Sequence, residues 1–530
     1  MTSASSPVSA VSPGPEPLLS AVPEPEREPS PRLLLGLLLV AALVPRLVVF
    51  PVNENLYGDA VVRTELAERW LKEPRLIRSF GDGAQQFGPL HLYMVGAVLK
   101  AVDREHAGRA VSLLFGVLSV VPLFALTRRY WGWRAGVWAC LAFSAWGLHL
   151  QLSTTAASEA VALFFMLWVF ALFAQALEEN RFGPLFGAAM VLNLACALRY
   201  DAWMYVPLLA VMPLLWRKDK VAGVTMAVAF GLLCLPFPLW WMQGNELAHG
   251  DPLYPISYID EFHRGWVASS GGGGKGLWMR VQGLGFWPAM ALFTLTPGVA
   301  LLGMAGMWKA WRERLELRWL VLAALIPAAY YTFRAAVLFN FVPLGRFTVT
   351  QVVLLLPFVA LGAQACARAW GERARQVVAG GSIALAVVMP VTLGVSTFRA
   401  DGRWRDALRP VSPTSTNPQP LMQAARWLKA EVTEKGKSLV LDSDDRYLDL
   451  QLGFFVGLPD ERVVRMRWPE FRQRFEQAQP EFLVRFDGGA LTREPSVKLE
   501  GRTLMLGDVL YVEQDGFSAP VHVYLRKQAQ

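Results

Sequence analysis

The chain is 530 residues long, 54% hydrophobic and only 18% charged, with a formal net charge of +8 at neutral pH. Soluble domains carry about a quarter charged residues, and the mean hydropathy here is positive, +0.32. These values exclude a cytosolic enzyme, a disordered scaffold and a disulfide-stapled secreted module. Much of the Lys and Arg excess sits in short loops between apolar runs, so no nucleic-acid partner is expected.

Residues 1–31 are rich in Pro, Ser and Glu and are expected to form a disordered tail. Leu33–Phe50 is too long and too poorly flanked for a cleaved signal peptide, and reads as a first transmembrane helix. Further apolar runs predict spans over 110–127, 135–152, 158–177, 183–198, 202–216, 221–242, 285–308, 318–335, 347–367 and 376–397. The run 89–102 is short for a crossing. Basic connections at Arg128–Arg134, Arg217–Lys220, Lys309–Arg318 and Arg368–Arg375 all belong on the cytoplasmic side. Simple alternation achieves that only if 89–102 lies along the membrane or re-enters it. The result is eleven spans, or thirteen with one more helix pair, a cytoplasmic N-terminus and an external C-terminus.

The external side then receives the loops 52–108 and 243–284, the turns near Ser153–Glu159 and Arg199–Asp201, and the segment Phe339–Arg346. Residues 398–420 are Pro-, Ser- and Thr-rich and read as a linker. An amphipathic helix (Leu421–Thr433), a strand (Ser438–Leu441) and a last strand (Val521–Leu525) make 421–530 a small external α/β domain. The fold class is therefore mainly α: a polytopic transmembrane helix bundle over 32–397 with a small C-terminal soluble α/β domain. Cys140, Cys196, Cys234 and Cys366 each lie inside an apolar run without CxxC spacing and read as packing residues.

The first external loop carries the most chemistry. Asn53-Glu54-Asn55-Leu56-Tyr57-Gly58-Asp59-Ala60 precedes apolar residues at 62, 66 and 70, the spacing of an amphipathic helix lying along the membrane. Asp59 at its start reads first as a helix cap, and a carboxylate there also suits a general base for a membrane-borne acceptor. Next come Gln86-Phe87-Gly88-Pro89-Leu90-His91-Leu92-Tyr93 and Gly108-Arg109-Ala110, which opens a span. In this order the features resemble the GT-C glycosyltransferases. More narrowly they resemble family 39, which includes protein O-mannosyltransferases and lipid A aminoarabinose transferases. Where those proteins show an Asp-Glu pair, this chain has Asp59-Ala60. Where they show a Pro-Pro-Leu-Tyr-Tyr-like stretch, it has Gly88-Pro89-Leu90-His91.

The resemblance implies transfer of a sugar from a polyprenyl-phosphate donor to a glycan, lipid or protein acceptor on the outer face of a membrane. It implies inversion at the anomeric carbon and, by position, Asp59 as the base. A bacterial inner membrane is the expected location, with membrane lipids as further partners. A departing lipid phosphate needs cations. Arg346, in Pro343-Leu344-Gly345-Arg346-Phe347, is the favoured phosphate ligand, because related proteins carry Arg-Tyr or Arg-Phe at this point. Arg199 in Arg199-Tyr200-Asp201 is a second candidate, although the triplet also reads as a self-contained ion pair around Asp201. Glu159 stands at the external mouth of an apolar helix, where an ionisable group is a functional candidate and a helix-dipole partner is the competing reading. His91, Tyr57 and Tyr254 complete the candidate substrate contacts. Glu159 could orient the acceptor or share a divalent metal with Asp59, with His91 and His249 as additional candidate ligands; no spacing approaches HExxH, so the metal stays an open alternative that is not itself predicted.

The glycine run 271–274 is no P-loop, since no Ser or Thr follows Lys275; it reads as a flexible linker or as a lid. Asp442-Ser443-Asp444-Asp445 imitates an Asp-x-Asp signature but follows a strand, where Asp is a turn former. Two other classes fit parts of the pattern: a transporter, and a non-catalytic binder of lipid-linked sugar. Transporters favour repeated halves and broken midplane helices, whereas this chain gathers its polar residues on one face and adds a soluble domain there.

Overall fold

The computed structural model describes residues 30–51, 58–217, 219–270, 275–397, 419–443, 448–457, 462–467 and 469–527. The tail 1–29, Tyr57, the run 271–274 and nearly all of the linker 398–420 lie outside them. In chain order the helices are α1 (Pro31–Val49), α2 (Gly58–Lys72), α3 (Pro89–Val98), α4 (Arg104–Leu118), α5 (Val120–Ser144), α6 (Gly147–Leu152), α7 (Ser158–Glu179) and α8 (Phe182–Leu198). After them come α9 (Tyr205–Trp216), α10 (Lys220–Leu233), α11 (Pro236–His249), α12 (Tyr254–Ser270), α13 (Lys275–Leu295) and α14 (Pro297–Glu313). The bundle closes with α15 (Arg318–Thr332), α16 (Val349–Val353) and α17 (Val359–Thr397).

Hydropathy shows how these helices sit in a membrane. On α1, Leu33, Leu37, Val40, Val44 and Val48 are exposed while Leu34, Leu38 and Ala42 are buried in the bundle core. One stripe therefore faces protein and the other faces lipid. Among the described residues, five helical stretches are long and apolar enough to cross: Arg32–Val49, Arg104–Ser144, Ser158–Glu179, Leu315–Leu338 and Gly345–Ala374. The pair Lys220–Leu233 and Pro236–His249, bent by 40°, makes a sixth if it is counted as one span. The chain is an integral membrane protein.

Breaks fall where the backbone demands them. Gly132 inside α5 has φ 78 and ψ 173. The Cys140 thiol reaches the Val120 carbonyl at 3.4 Å, and a Cβ on Gly136 would meet the Phe124 ring at 2.7 Å. α5 is thus a helical hairpin turning near Gly132, at the expected basic connection. α3 is only ten residues long, about 15 Å at 1.5 Å per residue, so it stops short of a crossing as its run length requires. The expected span 285–308 is divided: Thr296 leaves helical geometry at φ 73 and Pro297 starts α14, because a proline cannot donate to the preceding turn. The loop expected over 243–284 is mostly helical in its described residues, through α11, α12 and α13, with a turn at 250–253.

Beyond the bundle lie α18 (Gln419–Leu428), α19 (Leu448–Val456), α20 (Phe471–Ala478) and seven strands, β1 (Leu439–Leu441), β2 (Val463–Arg465), β3 (Phe482–Phe486), β4 (Val497–Glu500), β5 (Thr503–Leu506), β6 (Val509–Glu513) and β7 (Val521–Arg526). They form one sheet of order β2-β1-β3-β7-β6-β5-β4, in which β1 pairs in parallel with β2 and β3 and the rest is antiparallel. Asp442 ends β1 buried, accepting from the amides of Ser443, Phe486 and Leu491 at 2.7–2.9 Å. Burial pushes its carboxyl up to about 6, against those hydrogen bonds. It ties β1 to the turn after β3, the turn-forming role; Asp444 and Asp445 lie outside the described residues.

Candidate active site

The second external loop is built to present Glu159. Ser112 on α4 accepts from the Ala157 amide at 3.1 Å and donates to its carbonyl at 3.0 Å, fixing the residue before α7. One turn earlier on α4, Gly108 lets the loop approach: a Cβ there would lie 2.6 Å from Ala156 Cβ. Arg109 donates to the Thr154 carbonyl at 2.9 Å and to the Phe50 carbonyl, with its guanidinium 3.9 Å above the Phe50 ring. Arg46 of α1 grips the same loop through Ser153 at 2.9 Å and His149 at 2.7 Å. The Gly108-Arg109 pair is thus structural, since the glycine permits close packing and the arginine joins two loops.

Glu159, in the first turn of α7 and 3% exposed, is ringed by cations. Arg199 Nη1 lies 2.6 Å from its Oε1, Arg346 Nε 3.9 Å from the same oxygen, and Arg63 Nη1 3.9 Å from Oε2. Arg199 is held in extended backbone between α8 and the next turn. It also pairs with Asp201 at 2.9 and 3.2 Å. The Arg199–Asp201 ion pair therefore exists, but it is not self-contained, because the same guanidinium binds Glu159. A narrow pocket opens here, with Glu159, Arg199, Asp201 and Arg346 among its lining residues.

Asp59 approaches from the other side, in the first turn of α2. Its Oδ2 accepts from Arg346 Nη1 at 2.5 Å. Arg346 sits in a single helical turn, Gly345–Thr348, that leads into α16. Burial pushes the Asp59 carboxyl up, but Arg346 and Arg63 outweigh it, against the opposing charge of Glu159, and hold it below the ordinary carboxylate range. Residues separated by as much as 287 positions in sequence thus meet in one network, Asp59–Arg346–Glu159–Arg199–Asp201.

His91, on α3, is buried beside this network, and neither ring nitrogen finds a hydrogen-bond partner among the described residues. Burial, reinforced by Arg63 and Arg199 and opposed by Glu159, pushes it down to about 3, so the imidazole is neutral. Tyr254 belongs to a different group: it stacks on His249 with ring centroids 4.0 Å apart and meets Phe80 edge-on at 5.1 Å. Tyr57 lies outside the described residues.

Sequence reading passes over Arg63. It is 4% exposed, its guanidinium lies 4.5 Å from the Phe87 ring centroid, and its Nε and Nη1 have no hydrogen-bond partner among the described residues. The signal was its spacing: Arg63 is one helical turn after Asp59 and shares its face. No cluster of three or more His, Cys, Asp or Glu side chains fit for a metal occurs among the described residues. The three network carboxylates each face a guanidinium, so this donor set does not suit a divalent cation.

Residues 87–241 match the family model described as dolichyl-phosphate-mannose-protein mannosyltransferase. Among solved structures, the chain is similar to ArnT from Cupriavidus metallidurans in its apo state, at TM-score 0.60 and 15% identity over 93% of this chain and 97% of that one. ArnT bound to undecaprenyl phosphate gives 0.59 and 13%, over 93% and 98%. The Archaeoglobus fulgidus oligosaccharyltransferase tethered with an acceptor peptide gives 0.52 and 15%, over 86% and 69%. No curated protein sequence matches. The fold is the GT-C fold, shared with ArnT and the archaeal oligosaccharyltransferase.

Proposed function

We propose that the protein is a membrane glycosyltransferase that moves a sugar from a polyprenyl-phosphate donor to an acceptor on the extracytoplasmic face, with inversion and with Asp59 as base. The observation that carries this reading is the meeting of Asp59 and Glu159 around Arg346. One guanidinium in reach of two carboxylates, next to a second arginine, suits a reaction in which a proton is removed and an anion departs. In the proposed step Asp59 takes the proton of the acceptor hydroxyl, whose oxygen attacks the anomeric carbon. The bond from that carbon to the phosphate oxygen breaks, and the electron pair leaves with the lipid phosphate. Arg346 and Arg199 stabilise the charge that develops there, and Glu159 holds both arginines in place. No step requires a metal. ArnT, with which the chain shares its fold over nearly its whole length, is a protein crystallised with undecaprenyl phosphate, which supports a lipid-phosphate donor here.

The polar residues of the site gather at one end of the bundle and the sheet domain packs at that same end, which favours transfer over transport. The sidedness that goes with the reading puts that end outside a bacterial inner membrane. Mass spectrometry of envelope glycans from cells with and without the protein tests the function. A glycan, lipid or protein species that loses one sugar when the gene is removed is expected. An unchanged envelope, with lipid-linked sugar still consumed at its normal rate, contradicts it.

A further inference from the structure

Val61 connects the site to the C-terminal domain. It is completely buried, two residues after Asp59, and it belongs to the apolar cluster of the sheet domain with Leu421, Leu448, Leu452 and Phe455. α2 packs directly on α19. Other residues of the same helix are gripped by the bundle: Ala67 packs with Val95, Val111 and Val161, and Leu66 with Ile77, Phe87 and Trp241. The helix expected to lie along the membrane is thus clamped between the two parts of the chain.

Polar contacts reinforce the clamp. Arg104, at the start of α4, donates to Glu68 of α2 at 3.1 Å while its guanidinium lies 4.8 Å from the Phe454 ring of α19. Lys429 approaches Glu105 at 3.7 Å. Asp59 is the point at which this clamp bears on the chemistry, because its partner Arg346 comes from a distant element and cannot itself set where α2 begins. Proton abstraction tolerates little error: a misplacement of about 1 Å costs on the order of 100-fold in rate.

We propose that the C-terminal domain is a positioning element of the reaction, holding the start of α2 through Val61 so that Asp59 stands opposite Arg346. The proposal rests on the reading of Asp59 as the base. Val61 touches no reacting atom; it acts through the aspartate.

The test uses the full-length protein in native membranes, with product formation read by mass spectrometry of the envelope glycan. Affinity for the lipid phosphate is read separately with undecaprenyl phosphate as the probe. Val61→Ala is expected to slow product formation by about 10- to 100-fold and to leave undecaprenyl phosphate affinity within about two-fold. Val61→Ile should restore the rate, and Val61→Ala in an Asp59→Asn background should slow it no further. Phe454→Ala, made from the domain side, should show the same split and decides the matter if Val61→Ala does not accumulate. Wild-type rates in both Val61→Ala and Phe454→Ala, with Asp59→Asn inactive, overturn the positioning role and leave the base assignment standing. Equal losses of rate and lipid affinity, without rescue by Ile, reduce Val61 to general packing and also overturn it. Full activity in Asp59→Asn removes the base, and the positioning claim with it.

Discussion

At the residue scale the site is a balance of charges in which each carboxylate is held by an arginine that the donor phosphate would also want. The Arg346–Asp59 contact of 2.5 Å makes Asp59, the proposed base, a weak one. Its depressed pKa means that Asp59 favours the folded state above its unfolded value near 4, and that this contribution is lost as pH falls through the lower folded value. Donor phosphate drawing Arg346 away would return the carboxyl toward its ordinary range. The acid limb of kcat, which reports the bound state, is therefore expected at higher pH than that of kcat/KM, which reports the free enzyme. Coincident limbs would show that Arg346 stays on Asp59 throughout. His91, pushed down to about 3, should contribute no limb near neutrality. Glu159 is 3% exposed between three arginines; Glu159→Gln removes the charge they share, leaving buried Arg63 without its ion pair while Arg199 keeps Asp201 and Arg346 keeps Asp59, and should destabilise the protein by about 3 kcal/mol. Thermal unfolding in detergent reads that loss; an unchanged transition would show that water already screens the cluster.

At the element scale, the placement of Glu159 depends on the loop between α6 and α7 rather than on α7 itself. Gly108→Ala would set a methyl 2.6 Å from Ala156 Cβ, and overpacking of this kind costs about 1–3 kcal/mol. A lowered melting temperature with reduced activity is expected, and unchanged values for both would mean that the loop can yield. The hairpin at Gly132, the short α3 and the strands at Leu439–Leu441 and Val521–Arg526 are legible in the sequence from run length, basic loops and alternation. The break at Thr296–Pro297 is hidden to hydropathy because the apolar run continues through it, although the proline announces it. The helices within 243–284 are obscured by their polar and glycine-rich stretches, which hydropathy cannot tell from loop. Asp59, Glu159, Arg199 and Arg346 are each visible as charges at the ends of apolar runs. That they meet is not visible, since nothing local encodes a contact across hundreds of residues. Arg63 is missed for the opposite reason: it lies beside Asp59 on a helix read as a membrane-surface element, where an arginine needs no explanation.

At the scale of the whole molecule, one face of the bundle carries the charged network and the sheet domain caps that face through α2 and α19. Proposed sidedness puts this face outside, and a cysteine introduced at the exposed Glu500 should react with an impermeant maleimide in intact cells. Reaction only after lysis would invert the orientation. In the proposed chemistry a single carboxylate, Asp59, activates the acceptor. The most direct test is sugar transfer by membranes containing the protein or its Asp59→Asn form, in equal amounts, followed as loss of the lipid-linked donor. A positioned general base supplies about 10²–10⁴-fold in rate, so Asp59→Asn should transfer at least about 100-fold more slowly while still binding undecaprenyl phosphate. Transfer at the undiminished rate by Asp59→Asn would contradict the account.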